Sequence, residues 1–215
     1  MVTYLNRGMY DVVEAARLVG VSPDKLVRWS TSTTQRPALV RPSLDGLFSF
    51  HDLISLLVVA QLAKRGVTPA TIATGIKALG EMLETDRPLA REELRDNLAT
   101  VGRQFFARAS SEAEWVDVGK GKQGAFQAII EPALRQVEYG DDHFAALWRP
   151  AKGVWLNPRV QAGASCVENT RIPTETILQL VEKGDSPSDV AGDYDLDIDD
   201  VMAALTYERD LREAA

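Results

Sequence analysis

A group of basic and hydroxyl side chains near the N-terminus has the chemistry needed to hold nucleic acid. Ammonium and guanidinium groups bind phosphate oxygens, and Arg and Lys also read base edges in the major groove of DNA. Lys25 and Arg28 fall on the outward side of a predicted helix whose Leu26 and Trp29 face inward. The residues predicted to contact bases or phosphates are Ser22, Lys25, Arg28, Arg36 and Arg41.

The sequence around these residues predicts two short helices joined by a tight turn. Asp11 is a helix N-cap with Glu14 three residues later, a variant of the capping box, and Gly20 ends that helix. Ser22-Pro23 begins a second helix, which reaches about Ser30. This arrangement is a helix-turn-helix, and the second helix of such a motif can lie in the major groove.

The following segment predicts a wing and two further helices. Within 31–50, the dipeptide Asp45-Gly46 between apolar stretches is typical of a hairpin turn. Residues 51–65 are apolar on nearly all sides of a helix, which indicates burial. Another helix begins at Thr68-Pro69 and reaches about Glu84.

Charge is distributed unevenly along the 215 residues. Residues 1–80 carry nine Lys and Arg against five Asp and Glu, 81–150 carry nine against thirteen, and 151–215 carry six against thirteen. The formal net charge is −7. Because contact with phosphate needs local positive charge, the acidic total does not exclude DNA at the basic end. The alternative is that both ends are ordinary solvated surface.

The middle of the chain predicts a small mixed region without a recognisable chemistry. Helices are expected at 92–98 and 122–137, the second kinked or restarted by Pro132. Short strands are predicted at 104–107, 115–118, 137–139, 144–147 and 154–156.

Two motifs that suggest ligand binding have the wrong spacing. The stretch 119–124 (GKGKQG) lacks the spacing and the Ser or Thr of a phosphate-binding loop, so an exposed basic turn is the better interpretation. The alternating acids of 193–199 lack the Gly and Glu of a calcium loop.

The sequence also offers no catalytic or metal-ligand set. His51 and His143 are the two histidines, and the single cysteine, Cys166, is predicted to lie in a turn. One cysteine excludes an internal disulfide and multi-cysteine metal sites. We therefore expect neither a metal nor another cofactor, and no enzymatic activity.

The C-terminal part predicts a second three-helix unit. Its helices are expected at 174–183, 186–194 and 198–211. The last helix begins with Asp197 and two further acids, which would repel phosphate. This unit should therefore bind protein, and a second copy of the chain is one candidate.

The N-terminal third resembles the MerR-type winged helix-turn-helix. The resemblance rests on 10–23 (YDVVEAARLVGVSP) and continues through Leu26, Arg28 and Trp29. The sequence departs from that pattern at Asp24, in a wing without its usual arginine, and in lacking the long dimerising helix of those regulators.

The last sixty residues resemble the VapB-type antitoxin-like domain. The matching residues are 157–159 (NPR), Gly163, 169–174 (NTRIPT), 186–194, Leu205, Tyr207 and Glu208. Together with the MerR-like end, this resembles a VapB antitoxin of a type II toxin–antitoxin module. The resemblance implies a cytoplasmic protein that silences a PIN-domain-like ribonuclease toxin and represses its own promoter.

The same resemblance suggests arginines for the toxin-binding surface. PIN-type toxins hold acidic residues around a divalent metal, and related antitoxins often block them with an arginine. Arg209 and Arg212 are the candidates here. The alternative, with at least equal weight, is that they are solvated partners of Asp210 and Glu213.

We thus expect an α+β chain, mainly α, in three parts. A winged helix-turn-helix DNA-binding domain spans 1–86, a mixed α/β region 87–150, and an antitoxin-like three-helix domain 151–215. The expected partners are the toxin, operator DNA and a second copy in a homodimer, without a membrane, since 53–63 is too short to span one. A MerR-like regulator with a small-molecule or protein effector is the alternative, and an enzyme ranks last.

Overall fold

A computed structural model describes residues 8–34, 36–43, 46–96 and 122–213, with no side-chain description for 122–127. The predicted strands at 104–107 and 115–118, residues 119–121 of the predicted turn, and Asp45 lie outside the described residues. The described structure is mixed α and β and mainly helical, as the sequence predicts.

The N-terminal helices lie where the capping signals place them. Asp11 and Ser22 cap the first two helices, and Thr68 caps the fourth. The four helices are α1 (Val12–Val19), α2 (Pro23–Ser30), α3 (Phe50–Lys64) and α4 (Pro69–Leu83). A 3-10 turn (Pro88–Ala90) and the short α5 (Glu92–Asp96) follow.

Helix α3 is the centre of the main core, because eleven of its fifteen residues are buried. α1, α4, the 3-10 turn and the following helix α6 (Lys122–Leu134) pack against it. A helix apolar on all faces is stable only when other elements surround it. α6 continues through Pro132 and ends two residues later, so the helix does not restart at this proline.

A four-stranded antiparallel sheet follows, with its strands paired in chain order. The strands are β1 (Val137–Tyr139), β2 (Ala145–Ala151), β3 (Val154–Leu156) and β4 (Ser165–Val167). The sequence predicts the first three but not the fourth. Cys166, expected in a turn, lies on β4 opposite Trp155 and is buried.

Three helices form the C-terminal unit at the predicted positions. They are α7 (Thr174–Lys183), α8 (Pro187–Tyr194) and α9 (Ile198–Glu213). Their shared face encloses a second, smaller core that includes Val167, Ile177, Val201 and Leu205.

The predicted wing is not confirmed. Leu44 and Asp45 lie outside the described residues, and Phe48, on the far side of that turn, pairs with Tyr10. On the near side, Thr33 pairs with Arg36 in an isolated bridge. Within the described part of 31–49 no strand pair closes the predicted hairpin, because Phe48 takes its backbone partner from Tyr10 and Thr33 pairs only with Arg36.

The N- and C-terminal parts share the main core. Tyr10 near one end and Tyr207 and Leu211 near the other belong to one buried cluster. Strand β2 extends across residue 150, where the second predicted boundary lies. Among the described helices, none is long and apolar enough to cross a membrane.

Candidate functional site

The α1–α2 pair is built by local capping. The Asp11 carboxylate accepts a hydrogen bond from the Glu14 amide at 2.8 Å, and Ser22 Oγ accepts one from the Lys25 amide at 3.4 Å. At the turn, the Gly20 amide donates to the carbonyls of Ala16 and Arg17. These bonds pair the backbone N–H and C=O groups that have no partner within a helix at its ends. The two short helices can therefore follow each other closely.

The predicted DNA-contacting residues on α2 lie on its outer side. Leu26 and Trp29 are buried beneath them, while Ser22 and Arg28 are exposed. Lys25 is half-buried, and its Nζ lies 5.2 Å from the centre of the Trp29 ring. The ring holds the lysine stem while the charge stays near the surface.

Arg36 and Arg41 have structural partners in the described structure. Arg36 Nη2 donates to the carbonyl oxygen of Arg28 at 2.7 Å, at the C-terminal end of α2. Arg41 Nη2 donates to Ser32 Oγ at 3.2 Å. Arg36 therefore holds the segment after α2 against the end of that helix. Arg41 bonds within the segment itself and remains exposed.

Two exposed cations at the end of α3 were not among the residues predicted from the sequence, and one of them lies beside this helix pair. Lys64 and Arg65, at the end of α3, are exposed. A Cβ placed on Gly20 would lie 3.8 Å from Lys64 Nζ, so this ammonium group sits over the α1–α2 turn. In the sequence these residues are marked only by their position at a helix C-terminus. That position does not show that Lys64 lies near the turn at Gly20.

A buried carboxylate organises the loop before α3. Asp52 is 1% exposed and accepts hydrogen bonds from the amides of Ser43 and Ser49, at 3.0 and 2.9 Å. Arg87 Nε donates to the same carboxylate at 2.9 Å, and its Nη2 donates to Ser43 Oγ at 2.7 Å. Arg87 also pairs with Asp86. Two cavities, of about 340 and 470 Å³, lie beside Arg87.

A buried seam joins the N-terminal segment to the turn before β4 and to the C-terminal unit. The Tyr10 hydroxyl, fully buried, donates to the Gly163 carbonyl at 2.8 Å, and the Met9 amide donates to the Ala162 carbonyl at 3.0 Å. Gly163 permits this contact, because a Cβ there would lie 2.2 Å from the Tyr10 oxygen.

A second polar contact in this seam involves Glu208 on α9. Glu208 is 1% exposed; its Oε1 accepts from Thr174 Oγ1 at 2.5 Å, and its Oε2 lies 3.9 Å from Arg17 Nη1 on α1. Next to it, the Tyr207 hydroxyl lies 3.0 Å from Ser165 Oγ. Burial raises the pKa of Tyr207, so its hydroxyl keeps its proton.

The two arginines proposed to face a toxin differ in their surroundings. Arg212 pairs with Glu182 on α7, a partner other than the two acids considered from the sequence. Arg209 is exposed and has no ion pair within the described part of the chain. Arg209 is therefore available to bind another protein, whereas Arg212 is already held in an ion pair with Glu182.

The residues considered for catalysis have other contacts. His51 stacks on Phe144 at 4.9 Å, and burial lowers its pKa. His143 Nδ1 lies 3.0 Å from a Glu92 carboxylate oxygen. Burial raises the pKa of Cys166 to about 11. Within the described residues, no group of three or more His, Cys, Asp or Glu could hold a metal ion.

Known proteins resemble this chain both in its C-terminal part and over nearly its whole length. A family described as "Protein of unknown function (DUF433)" matches residues 154–207, from β3 into α9. A protein named "Putative antitoxin VapB45" from Mycobacterium tuberculosis (strain ATCC 25618 / H37Rv) is 26% identical over 226 residues, covering 92% of each chain. The similarity is to an antitoxin-like family.

A solved structure shares the fold. The crystal structure of Rv2018 from Mycobacterium tuberculosis superposes with a TM-score of 0.71 at 21% identity, covering 94% of this chain and 98% of that chain. The likeness extends over nearly the whole of both chains, so the N-terminal helices, the sheet and the C-terminal unit occur together in both.

Proposed function

We propose that this chain is the antitoxin of a type II toxin–antitoxin module. In this proposal it binds and neutralises a PIN-domain-like ribonuclease toxin and represses the promoter of its own gene. The observation that carries the proposal is the similarity to a protein named as an antitoxin over 92% of both chains. The chain acts in the cytoplasm beside its toxin and has no catalytic activity of its own.

The α1–α2 pair is the DNA-binding part in this proposal. Arg28 is exposed on α2, and Lys25 lies one turn before it. Lys64 adds positive charge beside the turn. A homodimer would present two such helices to two half-sites of a palindromic operator. Its affinity would depend on salt, because each phosphate contact releases counterions.

The DNA-binding proposal is tested with the segment upstream of the chain's own gene. Arg28→Ala should weaken binding by about 5- to 150-fold if Arg28 reads a base, and should lower the salt slope by about one if it holds phosphate. Arg159→Ala is the matched control, since Arg159 is exposed on the other unit. Unchanged binding by Arg28→Ala and Lys25→Ala would remove α2 from the interface.

The toxin-binding proposal is tested by co-expression with the product of the adjacent reading frame. We expect a stable complex that co-purifies, relief of growth arrest in cells, and stoichiometric loss of ribonuclease activity when the purified chain is titrated in. If the adjacent product forms no complex and its activity is unaffected, the antitoxin proposal fails.

A MerR-like regulator with a small-molecule or protein effector is the second candidate. The cavities beside Arg87, near the loop that follows α2, are the observation that favours it. An effector held there would contact the Asp52 network and could shift the 36–43 segment against α2. Under this candidate, DNA binding would respond to an effector in the absence of any toxin, which the same operator-binding assay would detect.

A further inference from the structure

Three large apolar side chains are exposed where α8 ends and α9 begins. Tyr194, Ile198 and Met202 are 37, 46 and 45% exposed, and they are three of the seven exposed large hydrophobic residues in the described structure. Single exposed apolar residues are common, but a group at one place marks an interaction site. Tyr194 ends α8, which packs against α9.

The helical repeat extends this group along α9. Ile198, Met202, Thr206 and Arg209 recur every three or four residues and are all exposed, whereas the opposite side of the helix is buried. We name these residues together with Tyr194 the α9 stripe. From Ile198 to Arg209 the helix rises by about 16 Å. The stripe is apolar at one end and carries a free guanidinium group at the other.

Acidic side chains border the apolar end. Asp193, Asp195, Asp197 and Asp199 are exposed, and no ion pair involves them in the part of the chain that the structure describes. A surface that covers Ile198 and Met202 must therefore come close to several negative charges. Such a surface is favoured if it carries Lys or Arg around an apolar pocket.

A second copy of this chain fits the α9 stripe poorly. In a two-fold symmetric contact centred on the apolar residues Ile198 and Met202, the same patch lies on both sides, so the acidic border would face its own copy. Like charges placed opposite each other in a contact cost several kcal/mol. Charge complementarity thus favours a different protein with a basic surface.

We propose that the α9 stripe is the docking surface for the toxin and that the toxin meets it with an apolar pocket bordered by Lys and Arg. This inference rests on the proposed antitoxin function and identifies the surface that carries it. Arg209 meets a carboxylate at the far end of the contact, whereas Arg212 stays with Glu182. Of the two arginines considered from the sequence, only Arg209 then contributes to binding.

The test uses the full chain and the purified product of the adjacent reading frame, with affinity measured by calorimetry. Met202→Glu should weaken binding by about 30-fold or more, as expected for a central interface residue. Met82→Glu is the matched control, because Met82 is 41% exposed on α4, away from the stripe. Arg209→Ala should weaken binding, and Arg212→Ala should change it much less. Circular dichroism checks that each variant is folded.

A second arm tests the charges. Asp193→Asn combined with Asp195→Asn should slow association and flatten its dependence on salt. Asn is suited to the positive φ of Asp195, so the turn before α9 is retained.

The outcomes separate the two proposals. If the wild-type chain binds and Met202→Glu binds equally well, the docking surface is wrong while the antitoxin function stands. If the wild-type chain does not bind, both proposals fall. If sedimentation shows a dimer that Met202→Glu dissociates, the stripe belongs to a second copy and the inference is overturned.

Discussion

Replacing Gly163 with alanine should disrupt the contact between the N-terminal segment and the turn that precedes β4. Gly163 has φ +91°, and an added Cβ would lie 2.2 Å from the Tyr10 hydroxyl oxygen and 3.1 Å from the Gly8 Cα. Tyr10 is fully buried and cannot move aside without disturbing the core. The substitution therefore strains the backbone, displaces a packed ring and breaks the hydrogen bond between them.

Each of these effects has a known magnitude. Backbone strain at a positive φ costs about 1–3 kcal/mol. Overpacking costs about 1–3 kcal/mol, and a buried hydroxyl left without a partner costs a similar amount. Because the ring displacement and the lost bond overlap, we expect Gly163→Ala to lower the free energy of unfolding by about 3–6 kcal/mol. Urea denaturation followed by circular dichroism measures this loss.

Gly184→Ala is the matched control for this prediction. Gly184 also has a positive φ, +117°, but no atom lies within 4 Å of an added Cβ. Its substitution should cost only the backbone strain, about 1–2 kcal/mol. Tyr10→Phe removes the oxygen that the added Cβ would meet, so combined with Gly163→Ala it should cost less than the sum of the two single changes. Equal losses for Gly163→Ala and Gly184→Ala would refute the reasoning.

Three further predictions concern other buried groups. Arg87→Ala should lower the free energy of unfolding by about 2–4 kcal/mol, because it leaves the buried Asp52 carboxylate without its cationic partner; thermal and urea unfolding measure this. Cys166 should resist alkylation by iodoacetamide at pH 8 in the folded chain, because a pKa of about 11 leaves roughly one thiol in a thousand ionised. Thr174→Val should cost about 1.5–3 kcal/mol by removing the hydroxyl that donates to buried Glu208.

Each of these has an internal control. Arg135→Ala removes an exposed ion pair and should change stability by less than about 1 kcal/mol. Cys166 should react rapidly once urea unfolds the chain, and rapid reaction without urea would contradict its burial. Thr176→Val, on the same helix as Thr174, should be nearly neutral. A loss as large as that of Thr174→Val would show that the Glu208 contact is not the cause.

The helices of both ends could be predicted from the sequence because their signals are local. Asp11, Ser22 and Thr68 cap helices through bonds that span only three residues. Pro23 then occupies a first-turn position where it is tolerated. These interactions depend on neighbours in the chain, so the bounds of α1, α2, α7 and α8 agree with prediction within a residue or two.

Strand β4 could not be predicted in the same way. It is three residues long, and its residues are ordered by pairing with β3, where Cys166 lies opposite Trp155. The loop after α2 is similar, because Phe48 takes its backbone partner from Tyr10, almost forty residues earlier in the chain. Periodicity over a few residues carries no information about such partners.

The sequence by itself determined the two helical units, their caps and their opposite charges, because each of these depends on residues close together in the chain. Only the tertiary structure decided how these units meet and which side chains remain available. Tyr10 reaches Gly163, and Glu208 reaches Thr174 and the neighbourhood of Arg17. The same packing pairs Arg212 with Glu182 and leaves Arg209 on the exposed face of α9. Such contacts are decided by folding in three dimensions, since their partners lie 30 to 191 positions apart.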